Sequence, residues 1–104
     1  MSEFPPHYRH IKKEFPGYLE ALEDLGKTTR GVGPLEERTT NLVQLAAAAT
    51  LCSQGAVHSH TRRALEAGAT PQEVRHTIVL LTSTIGFPLT SAALSWVEDV
   101  LGEG

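Results

Sequence analysis

The side chains of this chain that could do chemistry are concentrated in one short segment, CSQGAVHSH, at positions 52–60. This segment contains the single cysteine of the chain, Cys52, and two of its five histidines, His58 and His60. A thiolate is a nucleophile, and a histidine can take up or release a proton near neutral pH. The segment therefore predicts either thiol chemistry or acid–base chemistry, and the surrounding helices decide which groups can meet.

The two histidines of this segment are poorly spaced for holding a metal ion. Residues two apart on a helix are separated by about 200°, so His58 and His60 are expected on opposite sides of a regular helix. A shared ion at a symmetric subunit interface, with one histidine from each copy, stays open as an alternative. His7, His10 and His76 are expected to face solvent, and we predict no metal and no cofactor.

Ser53 has two interpretations. Together with His60 it could form part of a hydrolytic site, but Gln54 and Gly55 follow it and no nucleophile-elbow pattern is present. The alternative is that its hydroxyl caps the N-terminus of a helix that begins at the next residue. We favour the cap.

The hydrophobic pattern predicts that these residues are positioned by helices. Val74, Ile78, Leu81 and Ile85, for example, recur at helical spacing, and no segment alternates convincingly between apolar and polar residues. We predict an all-α chain of five to six helices. The expected segments are a short helix after Pro5-Pro6, residues 17–28, a helix beginning near Pro34, residues 54–67, residues 71–85, and a helix beginning at Pro88.

The ends of the helices around residues 52–60 are marked by local signals. Gly68 suits the left-handed conformation that often ends a helix. The segment Thr70–Glu73 is typical of a capping box with a proline in the first turn. Apolar stripes on either side of CSQG predict a central antiparallel hairpin of the third and fourth helices, turning around residues 51–55. Cys52, at the end of an apolar helix, is interpreted as a small inert residue, and the sequence leaves open whether it is exposed.

Composition restricts the class of protein. A chain of 104 residues predicts a single domain over residues 1–104. A net charge of −3 with scattered Lys and Arg lacks the basic surface of a nucleic-acid binder. No apolar run is long enough to span a membrane, and the first residues lack the apolar region of a signal peptide. We therefore expect a cytoplasmic protein that binds neither nucleic acid nor membrane.

The helices are more apolar than one small domain can cover. The predicted fifth helix is apolar over much of its circumference, as in the run Ile78–Leu81. Surplus apolar surface of this kind usually marks an interface between subunits. We therefore expect a closed homo-oligomer.

Three motifs in this order resemble the carboxymuconolactone decarboxylase and alkylhydroperoxidase D family. The motifs are LEERTTNLVQLAAAA, HTRRALEAGATPQEV and IGFPLTSAAL, so the resemblance covers about residues 35–101 and leaves 1–33 as a helical N-terminal extension. It implies an alkylhydroperoxidase D-like helical fold, assembly as a homotrimer or hexamer, and a small-molecule substrate.

The resemblance also shows where this chain departs from the thiol peroxidase branch of the family. That branch has a glutamate, two cysteines and a histidine at the positions of Asn41, Ser53, Ala56 and His60, so only the histidine is kept. Peroxidase activity is expected to be absent or weak. Cys52 could replace the missing thiol only from one residue earlier, rotated by about 100° on a regular helix.

The decarboxylase branch of the family lacks the two cysteines, and this chain resembles it in keeping His60 without them. Arg62 or Arg63 could hold a substrate carboxylate, although such charges more often form a solvated face. One hypothesis is thus an enzyme in which His60 is a general acid or base beside Asn41 and Ser53, in a pocket between subunits. The other is a non-catalytic helical oligomer. The candidate site residues are His60, Ser53, Asn41 and Cys52.

Overall fold

The computed structural model of the protein describes residues 6–102, and every regular element in that range is a helix. Within these residues, seven helices follow one another along the chain. They are α1 (Pro6–Glu14), α2 (Pro16–Arg30), α3 (Glu37–Thr50), α4 (Gln54–Glu66), α5 (Pro71–Val79), α6 (Thr82–Ile85) and α7 (Phe87–Leu101). The all-α prediction is confirmed. Pro5, at the predicted start of the first helix, lies outside the described residues.

The chain divides into two compact units, Met1–Pro34 and Leu35–Gly104. The boundary falls where the family resemblance was expected to begin, and the single domain over residues 1–104 stays a prediction. In the first unit, α1 and α2 are joined at Phe15, and Pro16 lies in the first turn of α2, where its missing N–H costs no helical bond. The phenolic hydroxyl of Tyr8 donates a hydrogen bond to the carboxylate of Glu23 and so links the two helices.

The second unit is built around the hairpin of α3 and α4, which make the most extensive contacts of any two helices. This confirms the predicted central hairpin. Small side chains on both helices allow the backbones to approach closely, and α5 and α7 complete the core. The buried apolar core residues are Leu45, Ala48, Ala49, Val57, Ala64, Ala69, Val74, Ile78, Ala93 and Val97.

The end of α4 follows the predicted signal at Gly68. This glycine has a φ of +102°, a left-handed conformation that costs a residue with a side chain more than it costs glycine. Its N–H donates to the carbonyl of Leu65 at 3.1 Å, and the N–H of Ala69 donates to the carbonyl of Ala64 at 2.9 Å. These two bonds define a Schellman motif, which satisfies the last carbonyls of the helix.

The capping box at the start of α5 is confirmed. The Thr70 hydroxyl accepts a hydrogen bond from the Glu73 N–H at 3.1 Å, and the Glu73 carboxylate accepts one from the Thr70 N–H at 2.9 Å. Glu73 also lies 3.7 Å from the guanidinium of Arg38 on α3, so the cap ties the start of α5 to the hairpin.

The predicted fifth helix, residues 71–85, is two helices rather than one. At Leu81 the backbone N–H donates to the carbonyl of Ile78, three residues back, at 2.9 Å, so the helix tightens and α5 ends. The hydroxyl of Thr82 donates to the carbonyl of Val79 at 2.7 Å and competes with the helical bond there. The short helix α6 then leads to Gly86, where a φ of +90° redirects the chain into α7.

Candidate functional site

His60 lies on α4 at the edge of the face that packs into the core. The buried residues of this helix, Val57, Thr61 and Ala64, form one stripe. His60 is half-buried beside that stripe, and its Nδ1 atom is shielded from solvent. His60 therefore lies at the border between the buried and the exposed side of α4.

Asn41 lies in the buried face of α3 and is only 3% exposed. Its Nδ2 donates a hydrogen bond to the carbonyl of Glu37, one turn earlier, at 3.0 Å, and this bond fixes which way the amide is oriented. Its Oδ1 is buried and accepts no hydrogen bond from any residue in the range 6–102. Asn41 therefore offers a buried acceptor that protein groups in this part of the chain leave unused.

Gln44, one turn further along α3, has a second buried acceptor. Its Oε1 is shielded from solvent and likewise accepts no bond within the described part of the chain. We call Asn41 Oδ1 and Gln44 Oε1 the open acceptors. Sequence analysis missed Gln44, although its spacing of three residues from Asn41 is the signal that could have found it, since such residues are neighbours on a helix.

Ideal helix geometry predicts that Gln44 and His60 are at about the same level of the hairpin. Gln44 is eight residues before Cys52 and His60 is eight residues after it. At 1.5 Å per residue, each is about 12 Å from the tip. Asn41 and Val57 belong to the buried stripes of α3 and α4. Gln44 follows Asn41 by three positions and His60 follows Val57 by three positions, so each lies about 60° to one side of the stripe on its own helix. Because the helices are antiparallel, these offsets point to the same side of the hairpin.

Ser53 serves as the N-cap of α4, and this prediction is confirmed. Its hydroxyl accepts a hydrogen bond from the N–H of Ala56 at 3.3 Å. His60 is seven positions further along the chain, which corresponds to about 10 Å along the helix axis. The structure therefore places Ser53 at the tip of the hairpin and Asn41, Gln44 and His60 deeper along it.

Cys52 is exposed, which settles a point that the sequence left open. It has a φ of +58°, and it is the residue after the C-cap of α3. Its N–H donates to the carbonyl of Ala49 at 3.0 Å, and the N–H of Ser53 donates to that of Ala48 at 3.1 Å. This is the same Schellman motif that ends α4. Cys52 is exposed because its left-handed conformation turns the chain away from α3 at the tip of the hairpin.

The other histidine of the segment, His58, faces a different helix. Its Nε2 lies 2.9 Å from a carboxylate oxygen of Asp99 on α7, so His58 helps to join α4 and α7. Within residues 6–102, no group of three His, Cys, Asp or Glu side chains is arranged to hold a metal ion. In the same range no helix is both long enough and apolar enough to cross a membrane.

Two aromatic residues of α7 differ in their exposure. Trp96 is partly buried and packs against the core, whereas Phe87, in the first turn of α7, is 67% exposed. Arg62 and Arg63 are half-buried on α4 rather than fully solvated.

The fold and the motifs identify the class of protein. The chain belongs to the carboxymuconolactone decarboxylase family, which it matches over residues 16–99. The match confirms the resemblance and extends it from about residue 35 into α2. With one cysteine, the chain lacks the thiol pair of the peroxidase branch.

Two individual proteins are similar to this chain, one in sequence and one in fold. An uncharacterized protein from Methanocaldococcus jannaschii is 31% identical over 105 residues, which cover 99% of this chain and 98% of that protein. The apo crystal structure of a carboxymuconolactone decarboxylase family protein from Legionella pneumophila has a TM-score of 0.75 and 22% identity, covering 90% of this chain and 87% of that one. The second likeness shows the fold.

Proposed function

We propose that this protein is an enzyme that acts on a small molecule, with His60 as the general acid or base and without a redox thiol pair. The observation that carries the proposal is that His60 is half-buried with Nδ1 shielded from solvent, on the helix that forms the hairpin with the helix of Asn41 and Gln44. Buried amides beside a histidine hold a bound molecule in place while the ring exchanges a proton. Ser53 and Cys52, at the hairpin tip, take no part in this transfer.

The family name supplies the reaction to test, the decarboxylation of carboxymuconolactone. In that reaction the bond between the ring carbon and the carboxylate breaks, and carbon dioxide leaves. The electron pair stays on the unsaturated lactone, and a proton must be delivered to carbon. We assign this delivery to the protonated imidazole of His60, which then regains its proton from solvent. The exchange is balanced, because one proton replaces one molecule of carbon dioxide.

The test is carbon dioxide release from carboxymuconolactone by the purified protein and by two variants. His60→Gln keeps a polar side chain of similar size but cannot donate a proton at neutral pH, and we expect a loss of about 100-fold to 10,000-fold in rate. His76→Gln, on the exposed side of α5, is the matched control and should release carbon dioxide at the wild-type rate. Equal rates for wild type and His60→Gln would disprove the role of His60.

The second hypothesis is a non-catalytic helical oligomer, and the burial of His60 Nδ1 is the observation that favours it. A structural histidine is held by the protein through both nitrogens, so His60→Gln would mainly lower stability, by about 1–3 kcal/mol. NMR of the imidazole separates the two roles. A ring that titrates between about pH 5 and 8 and shifts when carboxymuconolactone is added supports the enzyme; a ring that does neither supports the scaffold.

We further propose that the chain assembles with itself as a homotrimer or a hexamer. The support comes from large apolar side chains that are solvent-exposed in the second unit, among them Leu80 at 62% and Phe87 at 67%. A small protein rarely leaves so much apolar surface uncovered.

A further inference from the structure

We propose that Arg63 on α4 binds a carboxylate of the small molecule on which His60 acts, and that this carboxylate is the one that the product keeps. The inference deepens the proposed function and rests on it for the identity of the molecule. It adds the residue that recognises the charge of the substrate. Arg63 follows His60 by three positions on the same helix, so their relationship does not depend on how α4 packs against other helices.

Arg63 differs from the other basic side chains of the second unit in having no counter-ion. That unit contains four arginines and no lysine. Arg38 and Arg75 form ion pairs with glutamates, and Arg62 is engaged by another group of the protein. Arg63 is half-buried, and within residues 6–102 its guanidinium forms neither a hydrogen bond nor an ion pair. A guanidinium partly withdrawn from water without a partner is suited to an anion from outside the chain, such as a carboxylate.

Helix geometry directs the guanidinium of Arg63 toward His60. Residues three apart are neighbours on the surface of a helix, with Cβ atoms about 5–6 Å apart. Long side chains on a helix lean back toward its N-terminus, which for Arg63 is the direction of His60. Arg62, by contrast, is rotated by about 200° from His60 and lies on the other side of α4. Arg63 is therefore the arginine of the two that can hold a molecule against His60.

The chemistry of decarboxylation selects which carboxylate Arg63 holds. Carboxymuconolactone has two carboxylates, and one of them leaves as neutral carbon dioxide. A cation bound to the leaving carboxylate would stabilise the starting anion more than the transition state, in which that charge moves into the lactone, and would slow the reaction. A cation bound to the other carboxylate stabilises both states alike and positions the lactone for protonation. Arg63 is thus expected to contribute to substrate binding rather than to the rate of the chemical step.

The position of Arg63 has a structural alternative. It lies in the last turn of α4, where a positive charge is favourable beside the negative end of the helix dipole. This interaction contributes to stability and needs no ligand. The experiment therefore measures ligand binding, which the helix dipole alone does not explain.

The experiment uses muconolactone, the product, which keeps one carboxylate, and its methyl ester, which has none. Each is titrated into the 15N-labelled full-length protein while the side-chain Nε–Hε signal of Arg63 is followed. Muconolactone should give a saturable shift, and the ester should bind about 10-fold to 100-fold more weakly, because a charge-assisted hydrogen bond is lost. Equal binding of the two molecules would overturn the proposal, and so would the lack of a saturable shift with muconolactone.

Three variants test the residue itself. Arg63→Gln should weaken muconolactone binding by the same factor and raise the KM for carboxymuconolactone with kcat nearly unchanged, as expected when binding to substrate and transition state is lost alike. Arg63→Lys keeps the charge and should recover part of the affinity. Arg62→Gln is the matched control and should bind muconolactone as the wild type does. Undiminished binding by a folded Arg63→Gln, or a loss confined to Arg62→Gln, would overturn the assignment.

The failure of this inference is distinguishable from failure of the proposed function. Carbon dioxide release that depends on His60, together with an unchanged KM in Arg63→Gln, would leave the enzyme standing and remove the carboxylate site. Muconolactone binding that depends on Arg63, in a protein that releases no carbon dioxide, would do the reverse.

Discussion

Arg75 on α5 binds Glu98 on α7 through both carboxylate oxygens, with its Nε donating at 2.7 Å and a terminal nitrogen donating at 3.1 Å. This two-point contact links the two helices. The hydrogen bond from Arg75 lowers the pKa of Glu98 below its usual value, and the bond to Glu98 raises the pKa of Arg75. Both side chains are partly exposed, at 38% and 47%, so water screens the pair.

The first prediction concerns the pH dependence of this pair. Because the pKa of Glu98 is lower in the folded state, its contribution to stability is present above the unfolded value, about 4.3, and is lost as the pH falls through the folded value. Glu98→Gln should therefore lower the free energy of unfolding at pH 7 and make no difference in strong acid. Urea unfolding at several pH values measures this, with Glu66→Gln as an exposed control. A constant difference across that range would contradict the prediction.

The second prediction concerns the backbone at Cys52. A residue with a side chain at φ of +58° is strained, and glycine removes the strain while increasing the entropy of the unfolded chain. We expect Cys52→Gly to be neutral or stabilising by up to about 1 kcal/mol, and Cys52→Val, which is β-branched, to be destabilising by about 1–2 kcal/mol. Chemical unfolding of both variants tests the order. Gly68→Ala, at φ of +102°, should be destabilising for the same reason.

The opposite order, with Cys52→Val at least as stable as Cys52→Gly, would mean that residue 52 is not left-handed. The alanine variant at Gly68 meets no atom within 4 Å of its new Cβ. Any loss of stability there therefore reports backbone conformation rather than a clash.

The third prediction is that the protein does not turn over hydroperoxides. An exposed Cys52 can be oxidised to a sulfenic acid, but the chain has no second cysteine to resolve it. Peroxide consumption in the presence of a thiol reductant should be the same for wild type and Cys52→Ser. As a control for exposure of the thiol, a thiol reagent should label the native wild type. A peroxidase rate that is lost in Cys52→Ser would show that Cys52 is the nucleophile.

The fourth prediction concerns assembly. Leu80, between α5 and α6, and Phe87, at the start of α7, are the exposed apolar residues expected at the subunit interface. Sedimentation of the wild type at micromolar concentration should give the mass of a trimer or hexamer, and Leu80→Asp should lower it, because a buried unpaired charge at an interface is costly. Thr84→Asp, also exposed but not apolar, is the control. A wild type that sediments as a monomer would refute this assembly.

The sequence predicted those features of the fold that depend on neighbouring residues. Gly68 and the capping box of Thr70 and Glu73 are local signals, and each forms the bonds expected of it. The break at Leu81 was missed because the apolar run around it contains no glycine or proline, and the hydroxyl that competes for the backbone belongs to a threonine, a residue that helices often contain.

The candidate site was less accessible to sequence analysis, for a physical reason. The spacing of Gln44 from Asn41 places both on one face of α3, but the relation of Gln44 to His60 depends on the register of the hairpin, which the sequence does not give. The exposure of Cys52 could not be predicted, because glycine is the usual residue at a left-handed helix end and a cysteine at that position gives no such signal.

The exposed thiol at the hairpin tip gives the protein a built-in position for a spectroscopic probe. A nitroxide attached to Cys52 needs no engineered cysteine and, in the proposed homo-oligomer, would place one spin on each subunit at an equivalent point. Distances between spins then report the symmetry of the assembly directly. A closed trimer has one such distance and a hexamer has more, so a single pulsed EPR measurement would distinguish the two assemblies.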